Sequence, residues 1–182
     1  MNGEPIERHA FRALMGNVAG QVSIVASGEP GERNGLTASA VCSLSDAPPT
    51  VLLCVNRAAG THDVIVRNGV FSINALAVGQ EEIARVFAGG TGARGEDRFG
   101  AGRWSQGVTG APLLAGSLCW LECRLVDCKP SATHTVFFGR VVAGDTTPDA
   151  EPLLYHRGGY TRLDPALLDL ALAGSKAESG CG

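Results

Sequence analysis

The chain has 182 residues, 45% of them hydrophobic and 18% charged, with a formal net charge of −3 at pH 7. That length fits one domain, residues 1–182, with a core over about 10–163 and a C-terminal helix and tail over 164–182. The composition excludes global disorder, and the mild negative charge argues against a nucleic-acid partner, which selects a basic field.

The elements follow in chain order. Glu4-Pro5-Ile6-Glu7 opens a helix, with proline in the first turn and acids at its positive end, stopping near Gly16 or Gly20. No basic stretch precedes an apolar one here, so the segment does not read as a signal peptide. No run reaches the ~18 apolar residues that cross a bilayer, so a cytoplasmic protein without a membrane partner is expected. Gln21 to Ser27 alternates as a strand, and Gly28 to Gly35 is a hairpin-like turn. Leu36 to Ser43 reads as a second strand and Thr50 to Asn56 as a third. Thr61 to Asn68 predicts a helix with Thr61 as N-cap and Gly69 as stop.

Val70 to Leu76 is a further strand, and Gly79 to Gly89 a helix. Residues 91–111 are rich in Gly, Arg and Asp, with Phe99 and Trp104 as anchors, which predicts a mobile or ligand-facing loop. Leu113 to Val126 reads as one long strand, Thr133 to Ala143 as another, and Pro152 to Tyr155 and Tyr160 to Leu163 as two short ones. Pro165 to Ala173 predicts an amphipathic helix. Many short-spaced strands with few helices point to an antiparallel barrel with helical decoration.

The six cysteines include no CxxC pair, and four lie in apolar stretches. Buried reduced thiols are expected, with neither a metal site nor a disulfide framework. No G-x-G-x-x-G follows a strand, and Walker A, G-x-S-x-G and H-E-x-x-H patterns are absent, so hydrolase chemistry has no support. Asp46, Glu122 and Asp127 read as turn or strand-edge charges.

Segment 34–45, NGLTASAVCSLS, is the chemically suggestive one. Small side chains let a flat ligand approach the backbone, whose amides and hydroxyls donate to carbonyls and ring nitrogens. The same pattern also suits an ordinary edge strand. Asn56 to His62 joins a strand to a helix, where amides, Arg57 and Thr61 suit a phosphate, or simply a capped helix with a solvated arginine. His134 at a strand entry and the turn from His156 to Tyr160 are polar clusters that fit either a pocket or structural hydrogen bonding.

Taken as an ordered series, several stretches resemble the flavin reductase-like family of FMN-binding split barrels. They are GLTASAVCSLSDAPPTVLLCVNR, Thr61 before its helix, GVFSINAL, and the helix with Gln80, Ala84 and Phe87. Asp97-Arg98-Phe99 with Trp104, Gly110-Ala-Pro-Leu, Leu121-Glu122-Cys123 and THTVFFGRV complete the series. The family includes the reductase components of two-component flavin monooxygenases. The resemblance implies a mainly β, antiparallel split barrel of Greek-key type with a few flanking helices. It also implies a homodimer that binds FMN or FAD, takes electrons from NADH or NADPH, and hands reduced flavin to a partner oxygenase. A tightly held FMN serving as an electron carrier, without nicotinamide turnover, is the alternative.

Carried over by position, the flavin contacts fall on Thr37, Ala38, Ser39, Ala40 and Ser43, then on Cys54, Val55 and Asn56. Arg57 and Thr61 match the phosphate turn, and Phe87 and Arg98 match further flavin-proximal positions. His134 matches the histidine near the nicotinamide, and His156, Arg157, Gly158 and Tyr160 match the C-terminal turn. The chain departs from the pattern at Thr133, where an aspartate is common, and at Ala58 and Ala59, where serines are common. Cys42 and Cys54 are expected to pack beside the cofactor, and Asp46-Ala-Pro-Pro to form a rigid corner.

Overall fold

The computed structural model describes residues 4–164; the expected helix from Pro165 to Ala173, and Cys181, lie outside them. Three hairpins dominate. They are β2 (Ser23–Ser27) with β3 (Asn34–Ala38), β4 (Val41–Asp46) with β5 (Pro49–Asn56), and β9 (Cys119–Ser131) with β10 (His134–Thr146). With β6 (Val70–Ala75) they form a seven-stranded antiparallel sheet in the order β3-β2-β6-β9-β10-β5-β4.

The two edge strands, β3 and β4, are consecutive in the chain, with only Ser39 and Ala40 between them. Three Cα–Cα steps join Ala38 to Val41, a span of at most about 11 Å. The sheet must therefore curl until its edges come that close. The Cys54 amide donates to the Ala40 carbonyl at 3.1 Å, carrying the β5 side up to the crossing. No ladder pairs β3 with β4, so the barrel is split, as the resemblance implied.

Helices α1 (Arg8–Met15), α2 (Gly60–Asn68) and α3 (Glu81–Phe87) flank the sheet. A small sheet joins β1 (Gly20–Gln21), β11 (Leu154–His156) and β12 (Gly159–Thr161), and β7 (Trp104–Gln106) pairs with β8 (Pro112–Leu114). Side-chain alternation on β2 feeds two cores at once. Ile24 and Ala26 join Leu76, Phe87, Phe99 and Leu114, while Val25 joins Leu53, Val55, Ile65, Phe71 and Phe137.

Several expectations are corrected. The strand expected over Leu36 to Ser43 is two, because the chain leaves one sheet edge at Ala38 and joins the other at Val41. The strand expected over Leu113 to Val126 breaks at 115–118, where Gly116 takes a left-handed φ of 72°. Of the two readings of residues 91–111, mobile or ligand-facing, the structure favours the second: a 3₁₀ turn spans Gly95–Gly100, Phe99 is 5% exposed, and Arg94 and Arg98 line a cavity. Ala59, not Thr61, is the N-cap of α2; Thr61 is buried in its first turn. Among the described cysteines only Cys123 is fully buried, and Cys42 and Cys128 are exposed.

Glu122, expected at a strand edge, is 1% exposed. Its carboxylate accepts from the Val108 amide at 2.9 Å, the Thr109 amide at 2.8 Å and the Thr109 hydroxyl at 2.6 Å. Gly107 passes so close that any Cβ there would collide with the carboxylate. Burial, and secondarily the Glu122 charge, push the neighbouring Cys123 thiol up to about 12, leaving it inert as a nucleophile. A Glu122→Gln variant turns an amide NH₂ toward these donors and loses the charge-assisted bonds. It is expected to lose about 1–3 kcal/mol of stability, read by urea unfolding; an unchanged midpoint would show that the carboxylate does not hold the loop.

Candidate functional site

The crossing between the sheet edges is also where concave surface collects. A cavity of about 340 Å³ is floored by Thr37, Ala38, Ser39 and Ala40, with Cys54 and Asn56 from β5 on one side and Phe87, Ala88 and Arg98 on the other. His134 stands at its rim. Three further cavities share lining residues with it. One of about 530 Å³, at the start of α2, shares Ala59 and Arg98. One of about 240 Å³ against Tyr155 and Tyr160 shares Thr37, Ala38, Ser39 and Ala88. One of about 660 Å³ under α1 shares Ser39 and Ala40. The four cavities thus adjoin along the crossing as a trough. A larger hollow of about 710 Å³ beside the β2–β3 turn shares no residue with them and is lined by Glu29 and Glu32.

The trough's floor is built for close approach. Ser39 and Ala40 lie outside both strands, and their amides find no acceptor among the described residues. Ala38 and Ala40 raise little above the backbone, so a flat ring can reach those donors. Gly35, on β3, makes room from beneath, since a Cβ there would sit 2.7 Å from the Phe87 ring. The Thr37 hydroxyl is not free for a ligand: it donates to the Ala84 carbonyl at 2.7 Å and ties β3 to α3.

Arg98 links two of the cavities. Its Nη1 donates to the Gly35 carbonyl at 2.8 Å and its Nε to the Ala93 carbonyl at 3.1 Å, which fixes the guanidinium while leaving further N–H donors. In the cavity at α2, the Gly60 and Thr61 amides of the first helical turn have no acceptor among the described residues, and Arg94 lines the same space. Free helix-start amides beside two guanidiniums make a receptor for an anion. Asn34 organises this corner, accepting from the Thr61 hydroxyl at 3.0 Å and the Gly35 amide at 2.9 Å.

The structure thus gathers Thr37, Ala38, Ser39, Ala40, Cys54, Asn56, Phe87, Arg98 and His134 around one cavity, with Thr61 in the next. Ser43 is exposed on β4 and lines none of these cavities, and the Val55 side chain points into the core at 1% exposure. Arg57 lies outside the trough, its Nη1 reaching the Ala132 carbonyl at 3.4 Å. His156 is half-buried and lines none of the trough, and Arg157 binds Asn17 through Nε at 2.9 Å. Gly158 lines the cavity under α1, and Tyr160 the small one beside Tyr155. Cys54 lines the trough as expected, but Cys42 does not. Thr133 holds His134, its hydroxyl lying 2.8 Å from Nδ1, and Nε2 has no partner among the described residues. Asn34, Ala59, Ala88, Arg94 and Tyr155 were missed; their place depends on pairing and packing that no local pattern carries. Among the described residues no cluster of His, Cys, Asp and Glu is placed to hold a metal ion.

A trough with a small-residue floor, free amides and an anion corner suits a flat heterocycle with a phosphate tail. A model of the flavin reductase like domain matches residues 15–164. The chain belongs to the flavin reductase-like family. FMN reductase (NADH) RutF of Methylorubrum populi is 40% identical over 162 residues, covering 89% of this chain and 79% of that protein. Among solved structures, NADH:FAD oxidoreductase SgcE6 of Streptomyces globisporus superposes with a TM-score of 0.82 at 34% identity, covering 89% of this chain and 96% of that one. BorF, the flavin reductase component of a bacterial two-component tryptophan halogenase, gives a TM-score of 0.80 at 30% identity, covering 86% and 98%.

The turn that carries Arg98 is pinned from outside. Arg33 donates to the Glu96 carboxylate through its amide and Nε, each at 2.9 Å, and stacks 4.5 Å over the Phe99 ring. The Arg33 hydrogen bond holds the Glu96 carboxyl below its usual value. A lowered folded-state value contributes stability above the unfolded-state value and loses it as pH falls through the folded-state value. Both side chains are partly exposed, so the contribution is about 1 kcal/mol or less. Glu96→Gln is therefore expected to melt slightly below wild type at pH 7, with the gap closing as pH drops below the normal glutamate range. A gap constant with pH, in melting curves of the two proteins, would remove the ion pair from this account.

Proposed function

We propose that this chain is an NAD(P)H-dependent flavin reductase that passes reduced flavin to a partner oxygenase. The observation that carries the reading is the trough on the Ser39–Ala40 crossing. It has a bare backbone floor with unpaired amides, an apolar wall from Phe87 and an anion corner at Arg98 and α2. The relatives' names support NADH as donor and FMN or FAD as acceptor. One solved neighbour is a complex with NAD and FAD fragments.

A bound flavin supplies the redox chemistry, accepting a hydride from the dihydronicotinamide. The protein's part is alignment and electrostatics. The Ser39 and Ala40 amides, unpaired among the described residues, are free to donate to carbonyl or ring-nitrogen acceptors, the kind of donor that steadies negative charge developing on a ring. Phe87 and Ala88, which line the cavity on the α3 side, would give the ring its apolar contact. Arg98, Arg94 and the Gly60 and Thr61 amides would hold the phosphate. Ala58 and Ala59, where the family often has serines, add no hydroxyl to that corner, so backbone and guanidinium carry it. His134, held through Nδ1 by Thr133, presents Nε2 at the rim and positions the donor's carboxamide; no proton transfer is needed from it.

A cytoplasmic homodimer is the assembly this reading carries, with an oxygenase as electron recipient. The two-component halogenase relationship of BorF supports the partner's class. Among the described residues no helix is long and apolar enough to cross a membrane.

Purified protein with excess FMN or FAD is expected to oxidise NADH over many turnovers, followed at the nicotinamide band, with NADPH run in parallel. A retained flavin with no turnover would instead make the chain an electron carrier. His134→Ala is expected to lower kcat/KM for NADH about ten- to a hundredfold through lost alignment, with flavin affinity kept. Unchanged kinetics would take His134 out of the site. Arg98→Met is expected to weaken flavin binding about tenfold, the scale of one charge-assisted hydrogen bond, measured by fluorescence titration; unchanged affinity would move the phosphate elsewhere.

A further inference from the structure

Asp63, His62 and Thr135 form a chain of hydrogen bonds that the flavin chemistry leaves unused. His62 Nδ1 lies 2.9 Å from Asp63 Oδ1, and Nε2 lies 3.0 Å from the Thr135 hydroxyl. A carboxylate only accepts, so Nδ1 donates to Asp63, and a neutral ring then accepts from Thr135. Hydroxyl, imidazole and carboxylate in that order is the arrangement of a nucleophile with its base. Thr135, however, is 2% exposed and lines none of the cavities described above, so no substrate reaches its oxygen. The chain of bonds is a brace.

It joins two elements of unequal freedom. Strand β10 is paired along both edges, with β5 and with β9, so Thr135 belongs to the fixed frame. Helix α2 has nine residues, too few to hold its shape alone, so its first turn is placed by its contacts. Thr61 ties that turn to the edge strand β3 through Asn34, at 3.0 Å. His62, the next residue, ties it to the interior strand β10. The imidazole also lies against the fully buried Phe137, ring centroids 5.3 Å apart, which sets it between helix and core. With 17% of its side chain exposed and no cavity lined by it, His62 touches no ligand itself.

The neighbours in the chain give the brace its meaning. Strand alternation puts His134 at the rim of the trough and Thr135 on the opposite face, against His62. On the helix side, Gly60 and Thr61, immediately before His62, carry the unpaired amides of the anion corner. One side-chain bond, between residues 62 and 135, thus fixes how far the anion corner stands from the frame of the trough.

We propose that His62 is a positioning residue for the flavin's phosphate. By holding the first turn of α2 to Thr135, it keeps the Gly60 and Thr61 amides where the tail of a flavin seated on Ser39 and Ala40 ends. The proposal rests on the reductase reading, which puts the phosphate in that corner, and adds what keeps corner and ring in register. Without the brace the α2 start shifts while β10 stays, because the pairing of β10 with β5 and β9 does not involve His62. The consequence is selective: a flavin that carries a phosphate loses affinity, and one that lacks it does not.

FMN and riboflavin share the ring and differ by the phosphate, so together they separate positioning from general loosening. Wild type, His62→Ala, His62→Gln and Thr135→Val are titrated with both flavins by fluorescence and assayed with NADH and each flavin. Wild type is expected to bind FMN more tightly than riboflavin. His62→Ala and Thr135→Val are each expected to lower that preference about five- to tenfold, the scale of one lost hydrogen bond to a charged group. In turnover the loss falls on KM for FMN rather than on kcat. His62→Gln, whose amide replaces Nε2 as partner of Thr135, is expected to restore most of the preference. Thr135→Val keeps the side chain's size and decides the question if His62→Ala does not fold. An unchanged preference in Thr135→Val, an equal loss for both flavins, or a wild type indifferent to the phosphate would each overturn the proposal. If wild type oxidises NADH with neither flavin, yet the binding preference still falls in Thr135→Val, the reductase reading fails and the positioning role stands.

Discussion

Two residues, Ser39 and Ala40, carry the chain from one edge of a seven-stranded sheet to the other. A connection that short leaves the sheet no freedom to lie open, because its outermost strands must end within reach of a single short step. The rest of the molecule is arranged around that closure. Alternation on β2 fills the space on both faces. Gly35 lets Phe87 lie against the edge strand, and Thr37 ties that strand to α3. Where two sheet edges meet without pairing, backbone donors are left over, and those donors line the candidate site.

The proposed site therefore uses no glycine-loop phosphate motif, and its residues look unremarkable in sequence. In the proposed site Ala38, Ser39 and Ala40 contribute through what they lack, namely bulk over the amides. The charged groups stand further out. Arg98 comes from a 3₁₀ turn that is itself secured by Arg33 and Glu96, and the α2 start is set by Asn34 reaching from the opposite strand. The site is therefore assembled from β3, β5, α2, α3 and one irregular turn, none of which is adjacent to all the others in sequence.

The strand periodicity, the turn glycines and the ordered resemblance were enough to read a mainly β split barrel and most of the central cavity. What escaped was of two kinds. Leu36 to Ser43 reads as one strand because small and apolar residues run straight through it; only the pairing of β3 with β2 and β4 with β5 reveals the break. Glu122 reads as an edge charge because its partners, the Val108 and Thr109 amides, belong to a loop whose position depends on the completed sheet. Ser43, Val55 and Arg57 were carried over by position along a strand, and strand alternation and turn geometry send their side chains away from the trough. Asn34, Arg94 and Tyr155 join it only through long-range packing.

The crossing has one more consequence. Because Ser39 and Ala40 are at once the hinge of the barrel and the floor of the trough, a ligand seated there touches both edges of the sheet. Spreading the edges apart then requires releasing the ligand, so its binding free energy adds to the work of opening the barrel. With the flavin in the proposed site, its occupancy and the integrity of the fold would be one equilibrium. The slowest-exchanging amides of the loaded protein should extend outward from this crossing into β2 and β5, rather than being confined to the core.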